Sequence, residues 1–170
     1  MRHWLAAILV VLCIAPSAQA GDNWTTFTDN SGTFSLSVPE TPTFSAETTM
    51  GNNGRSVVNA KYLIDLGSVA LLATISDFSG MNTDPAAALD LAVKGVQTES
   101  RNLLSDQSVM LDGHPGRDVK LTDADGDAFT DRIFFFDDHL YQFITVATKE
   151  AGPDQFATAE RYSVSLHFLR

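Results

Sequence analysis

Residues 106–148 constrain the fold more than any other part of the 170-residue chain. Four apolar stretches, 106–111, 117–122, 128–136 and 140–148, are separated by short turns rich in Asp and Gly. Short turns join antiparallel neighbours, so the spacing predicts an antiparallel meander. Ile133-Phe134-Phe135-Phe136 and Phe143-Ile144 within it, and Val69-Ala70-Leu71-Leu72-Ala73 before it, do not alternate apolar with polar. Strands of that kind need cover on both faces. Phe135 and Phe143 are placed on adjacent central strands, both buried.

The flanking segments follow the same logic. Residues 24–28 read as a short strand, followed by the turn Asp29-Asn30-Ser31-Gly32. Phe34-Ser35-Leu36-Ser37-Val38 alternates with period two and stops at Pro39, the pattern of a half-buried strand. A weaker strand over 43–50 ends in the turn Gly51-Asn52-Asn53-Gly54, and two more, 56–65 and 68–76, are paired through Gly67. One helix is well marked. Asp84 can cap it, Pro85 suits its first position, and Leu89, Ala92, Val93 and Val96 form a stripe that fades by Arg101. A second helix is expected from Pro153 or Asp154 to about Tyr162, before a last apolar stretch ending at Leu169. The fold class is α+β, an antiparallel sheet of about six to eight strands sandwiched by helices in an α/β/α arrangement.

Residues 1–20 read as a signal peptide rather than part of this fold. Arg2 and His3 precede an apolar run from Leu5 to Ala15, too short to span a bilayer, and Ala18-Gln19-Ala20 ends it. Cleavage after Ala20 leaves one domain, 21–170, beginning at Gly21, periplasmic or secreted and without a transmembrane segment. A retained anchor is the competing reading, against which the well-formed Ala-x-Ala end counts. Cys13 is not a lipidation site, because Val10-Val11-Leu12 precede it where small residues would be needed. It is the only Cys, so the mature chain can form no disulfide.

The mature chain carries 10 Lys plus Arg against 21 Asp plus Glu, a net charge of −11. With no basic run, it offers nothing to nucleic acid or to an anionic membrane surface. Its acids are 16 Asp and 5 Glu, and Asp favours turns and caps over helix faces. Many loops and few helices fit that imbalance.

Several of these segments resemble small exported bacterial proteins with the PsbP-like fold. They are Phe34-Ser35-Leu36-Ser37-Val38-Pro39 after Trp24, and Leu111-Asp112-Gly113-His114-Pro115-Gly116-Arg117. Arg132 ahead of an aromatic strand and Leu140-Tyr141-Gln142 complete the set. The resemblance covers most of residues 24–169 as a pattern of elements, and implies an antiparallel sheet between helices. It brings no shared catalytic residues, so none is assigned here.

Two constellations could carry metal chemistry. In Asp123-Ala124-Asp125-Gly126-Asp127 alternate carboxylates could gather round Ca²⁺. The Gly stands fourth rather than sixth, however, and Phe134 occupies the twelfth position, where a Glu is needed. A hairpin turn with Asp125-Gly126 at its tip is the plainer account. The meander also brings Asp112 and His114 to the same sheet end as Asp137-Asp138-His139, a possible Zn²⁺ set or simply solvated turn residues. The three mature His, His114, His139 and His167, show no informative spacing to a Ser, and Gly-x-Ser-x-Gly and His-Glu-x-x-His are both absent.

No catalytic residue, metal site or cofactor is therefore assigned. The residues favour a monomeric, exported, non-catalytic binding or accessory module of the cell envelope, with a protein or small-molecule partner. The alternative is a small hydrolase or metal-dependent enzyme using the turns at one sheet end, and a third reading is an envelope structural protein without a ligand.

Overall fold

The alternating segments are strands, ten of them among residues 23–50, 54–98 and 100–170, which the computed structural model describes. In chain order these are β1 (Thr25–Thr28), β2 (Phe34–Val38), β3 (Thr43–Met50), β4 (Ser56–Asp65) and β5 (Val69–Asp77). Helix α1 (Pro85–Val96) follows, then β6 (Arg101–Leu111), β7 (His114–Asp123), β8 (Ala128–Phe136) and β9 (His139–Ala147). Helix α2 (Pro153–Val164) and β10 (His167–Phe168) complete the chain. The leader with Cys13, and positions 51–53 of the expected Gly51–Gly54 turn, lie outside the described residues. Among the described residues no helix is long and apolar enough to cross a membrane.

Seven strands form one antiparallel sheet in the order β3-β4-β5-β9-β8-β7-β6. The expected meander is its right half, β6 to β9. Two of its hairpins turn on residues with positive φ, Asp112-Gly113 and Asp137-Asp138, as a tight turn matched to strand twist requires. Asp is one of the few residues that accepts this conformation.

The central strands are apolar on both faces because both are covered. Ile133 and Phe135 of β8 pack with Val119 and Leu121 of β7 against Leu89 and Val93 of α1. Phe134, between them in sequence, points the other way. It joins Phe143, Leu71, Phe34, Leu36, Tyr162 of α2 and Phe168 in the larger core. Asp84 caps α1 as expected, accepting a hydrogen bond from the Ala87 amide at 2.8 Å.

The chain is α+β but mostly strand, and here the expectations need adjusting. Helix α1 packs mainly on β7 and β8, while the opposite face is shared by α2 and a second sheet, β1-β2-β10. The segments 24–28 and 34–38 belong to that three-stranded sheet rather than to the main one. Helix α1 stops at Val96, and by Arg101 the chain is already strand, five residues before position 106. Arg101 is held there by pairing with Asp123 and by its guanidinium lying 4.2 Å from the Phe129 ring centroid. A register shift between Leu103 and Ser105 breaks the alternation that would have marked the strand.

Candidate functional site

The sheet end carrying the turns at Asp112 and Asp137 is also where the aromatic side chains of the large core reach the surface. His114 stacks on Phe136 with centroids 3.8 Å apart, and Phe136 stacks on Tyr141 at 4.7 Å. His139 lies near-parallel to Tyr141 with centroids 6.1 Å apart. The topology thus gathers both histidines along one aromatic ladder, but each is engaged separately. His114 Nε2 lies 3.1 Å from the Arg170 carbonyl oxygen, whereas His139 Nδ1 donates to the Asp137 carbonyl. Asp112 accepts from the Phe168 amide at 2.9 Å and faces His167 at 3.5 Å, tying β10 to the turn. Among the described residues no group of three or more His, Cys, Asp or Glu is arranged to hold a metal ion.

The Asp123–Asp127 segment is a hairpin turn with Gly126 at positive φ. Asp123 Oδ1 accepts from the amides of Asp125 and Asp127, both at 3.0 Å. Asp127 Oδ1 accepts from the Lys149 amide at 3.0 Å. These carboxylates organise backbone.

Beside the ladder lies a cleft of about 250 Å³ that no motif in the sequence announced. Its floor is Tyr62 and Tyr141, both buried, with Ile75 between them on the register line Ala60–Ile75–Tyr141. Phe44 of β3 and Val58 of β4 form its outer wall and are 50% and 46% exposed. Phe44 packs on Tyr62 with centroids 5.1 Å apart. The inner wall is the Asp29–Thr33 turn. Buried Asp29 holds it by accepting from the Thr33, Phe34 and Ser31 amides at 2.7, 2.9 and 3.0 Å. Tyr62 Oη accepts from the Asn30 amide at 3.1 Å, so the turn and the floor are one unit.

Charge enters at the rim. Asp77 and His139 are register partners across β5 and β9, with Asp77 Oδ1 3.7 Å from His139 Nε2. Hydrogen bonds from Ser79 hold the Asp77 carboxyl below its ordinary pKa, aided by His139. Burial raises the Tyr141 hydroxyl above its ordinary value, opposed by a hydrogen bond with Thr33 and by the Arg170 charge. Arg170 itself donates to Thr33 Oγ1.

For hydrolysis a base would have to face a hydroxyl. Here the Ser31 hydroxyl is held by Asp29 and lies 2.8 Å from Thr33 Oγ1, while the two His139 nitrogens face Asp137 and Asp77. The arrangement can grip an apolar group on aromatic surface and orient it with one acid, one guanidinium and an imidazole. His139 was legible as a candidate. Asp29, Phe44 and Tyr62 fall in the sequence only at turn or strand positions and Asp77 just beyond the expected strand 68–76, because strands distant in sequence assemble the cleft.

The fold has a counterpart among solved structures. The chain resembles the solution structure of cyanobacterial PsbP (CyanoP) from Synechocystis sp. PCC 6803, with a TM-score of 0.55 over 91% of this chain and 98% of that one. The fold is PsbP-like. At 12% identity the likeness concerns fold alone, and no PsbP residue role is carried to the cleft. A looser match is PA94, a Pseudomonas aeruginosa protein of unknown function, at 13% identity and a TM-score of 0.37 over 81% of this chain and 88% of that one. No protein-family model and no curated protein matches the chain.

Proposed function

We propose that this chain is an exported, non-catalytic binding or accessory module of the cell envelope, with the sheet-end cleft as its contact surface. The observation that carries the reading is the exposure of Phe44 and Val58 at the mouth of a cleft whose floor is buried aromatic surface. Single exposed apolar side chains are ordinary, but exposed ones continuous with an apolar cleft mark a contact surface. Asp77, His139 and Arg170 supply the polar rim that fixes a partner's orientation. The PsbP-like fold suits an accessory role. Export rests on the leader, with cleavage after Ala20 and a periplasmic or secreted mature chain.

Two measurements test this. N-terminal mass analysis of the native protein should find Gly21; an intact Met1 or an acylated Cys13 would refute the export reading. A photoreactive residue at position 44 should crosslink one defined partner in the exported fraction, and the same probe at exposed Leu91 on α1 should not. Equal crosslinking from both positions, or none from position 44, would refute the cleft as a contact surface.

A further inference from the structure

We propose that a second concavity, the groove between α2 and strands β7 to β9, binds a free α-amino acid with an apolar side chain. The groove holds about 330 Å³, at the lower end of small-molecule pockets. It exists because the residues facing one another across it are small. Ala128 and Ala147 are register partners on β8 and β9, and Ala159 faces them from α2. A larger side chain at any of these positions would fill the space.

The next row of the sheet is polar. Lys120, Thr130 and Thr145 lie opposite one another across β7, β8 and β9 and all line the groove. Asp118 lies two residues before Lys120 on the same face of β7, about 6.6 Å along the strand. Thr145 is only 5% exposed, and among the described residues no side-chain hydrogen bond or ion pair joins it, Thr130 or Lys120 to a neighbour. Asp118 Oδ1 is buried and has no partner either. Its other oxygen forms an ion pair with Arg132 Nε at 4.0 Å, while Arg132 Nη1 donates to the Ser163 carbonyl of α2 at 2.8 Å. Buried polar groups in folded proteins are nearly always paired. Asp118 Oδ1 is such an exception, and with two hydroxyls and the exposed Lys120 cation around the same cavity it points to a ligand that completes it.

The order of the groups specifies that ligand. An acid and a base side by side select a zwitterion, since a simple anion would meet Asp118 and a simple cation would meet Lys120. The ligand ammonium donates to Asp118 Oδ1, with Glu160 of α2 facing the same space. The ligand carboxylate lies against Lys120 and accepts from Thr130 and Thr145. The Ser163 end of α2 is fixed beside Arg132, so Phe156 lies about 10 Å back along the helix. Phe156, 46% exposed, and the alanine row then form the apolar end for the side chain.

Calorimetric titration of the purified protein with L-phenylalanine and L-leucine tests this. Saturable binding is expected for at least one of them. Phenethylamine, which lacks the carboxylate, and 3-phenylpropionate, which lacks the ammonium, should each bind at least about tenfold more weakly. Lys120→Met at an exposed position should preserve the fold and weaken binding about tenfold, and Asp118→Asn should do the same. Phe44→Ala, in the sheet-end cleft, should leave the titration unchanged. No saturable binding of either amino acid up to about 10 mM would overturn the proposal. So would equal affinity for the two single-charge analogues, or binding that Lys120→Met leaves intact.

Discussion

Gln142 donates its side-chain amide to Asp131 Oδ2 at 2.8 Å across β9 and β8, and among the described residues that is the only hydrogen bond the Asp131 side chain makes. Asp131 is 1% exposed and its Oδ1 is unpaired, on the same sheet face as Val119 and Leu121. Burial pushes its pKa up to about 7, despite the Gln142 bond and the attraction of Arg101, with Asp118 adding to the rise. In the unfolded chain the carboxyl ionises near 3.8. Between these values the unfolded state has lost a proton that the folded state keeps, so stability falls as pH rises from about 4 to about 7. The loss is at most roughly 4 kcal/mol. Asp77, whose pKa is lowered, acts in the opposite sense and only at the acid end of that range or below.

Urea midpoints measured from pH 4.5 to 8 should therefore decline, and in Asp131→Asn the decline should be largely gone. A variant that keeps the full slope would mean that Asp131 is ionised in the folded protein throughout.

Phe135 and Phe143 stand on adjacent strands but face opposite sides of the sheet. Phe143 meets Phe34 edge to face with centroids 4.9 Å apart, whereas Phe135 meets Phe78 at 6.1 Å under α1. Each Phe→Ala change should cost roughly 3–5 kcal/mol by denaturant titration. Because they share no cavity, the milder Phe→Leu changes should add within about 0.5 kcal/mol when combined. A cost below about 1 kcal/mol for either alanine variant would mean that its face of the sheet is open.

Gly116 is a glycine for reasons of space. A Cβ there would lie 2.4 Å from Phe134 Cδ1 and 2.5 Å from the Ile133 carbonyl oxygen, and the carbonyl cannot move without breaking the β7–β8 ladder. Gly116→Ala should lower stability by about 2 kcal/mol or more. Gly95→Ala is the contrast. Nothing lies within 4 Å of a Cβ at that helical position, so this change should stabilise by roughly 0.5–1 kcal/mol. Equal effects at the two sites would refute the packing argument.

What the sequence disclosed follows from how far each signal travels along the chain. The span Phe34–Val38, the hairpins of residues 114–147 and the Asp84 cap are local patterns, and the structure matches them closely. Partnership between distant strands has no such local signature. That is why the β1-β2-β10 sheet was missed, since its register joins His167 to Ser35. Both concavities share this origin. The sheet-end cleft needs Asp29 to meet Tyr141, and the groove under α2 needs three alanines from β8, β9 and α2 to coincide. Asp131 was hidden differently, as one polar residue in a strand otherwise read by its phenylalanines.

The last expectation concerns the three aspartates at the β7–β8 turn. Ca²⁺ takes six to eight oxygens in a pocket. Here Asp123 Oδ1 is already accepting from two backbone amides, and Asp127 Oδ1 is held by the Lys149 amide. Binding the ion would mean giving up hydrogen bonds that shape the turn, with no downstream Glu to complete the shell. Millimolar Ca²⁺ should leave the melting temperature nearly unchanged, whereas a site filled at a hundred times its dissociation constant would add about 2.7 kcal/mol. The turn's own need for Asp123 should appear without any metal. Asp123→Ala removes an acceptor shared by two amides and should cost about 1 kcal/mol or more, while Asp125→Asn should be close to neutral. A calcium-dependent rise in melting temperature that disappears in Asp125→Asn would reverse this assignment and make the turn a metal site.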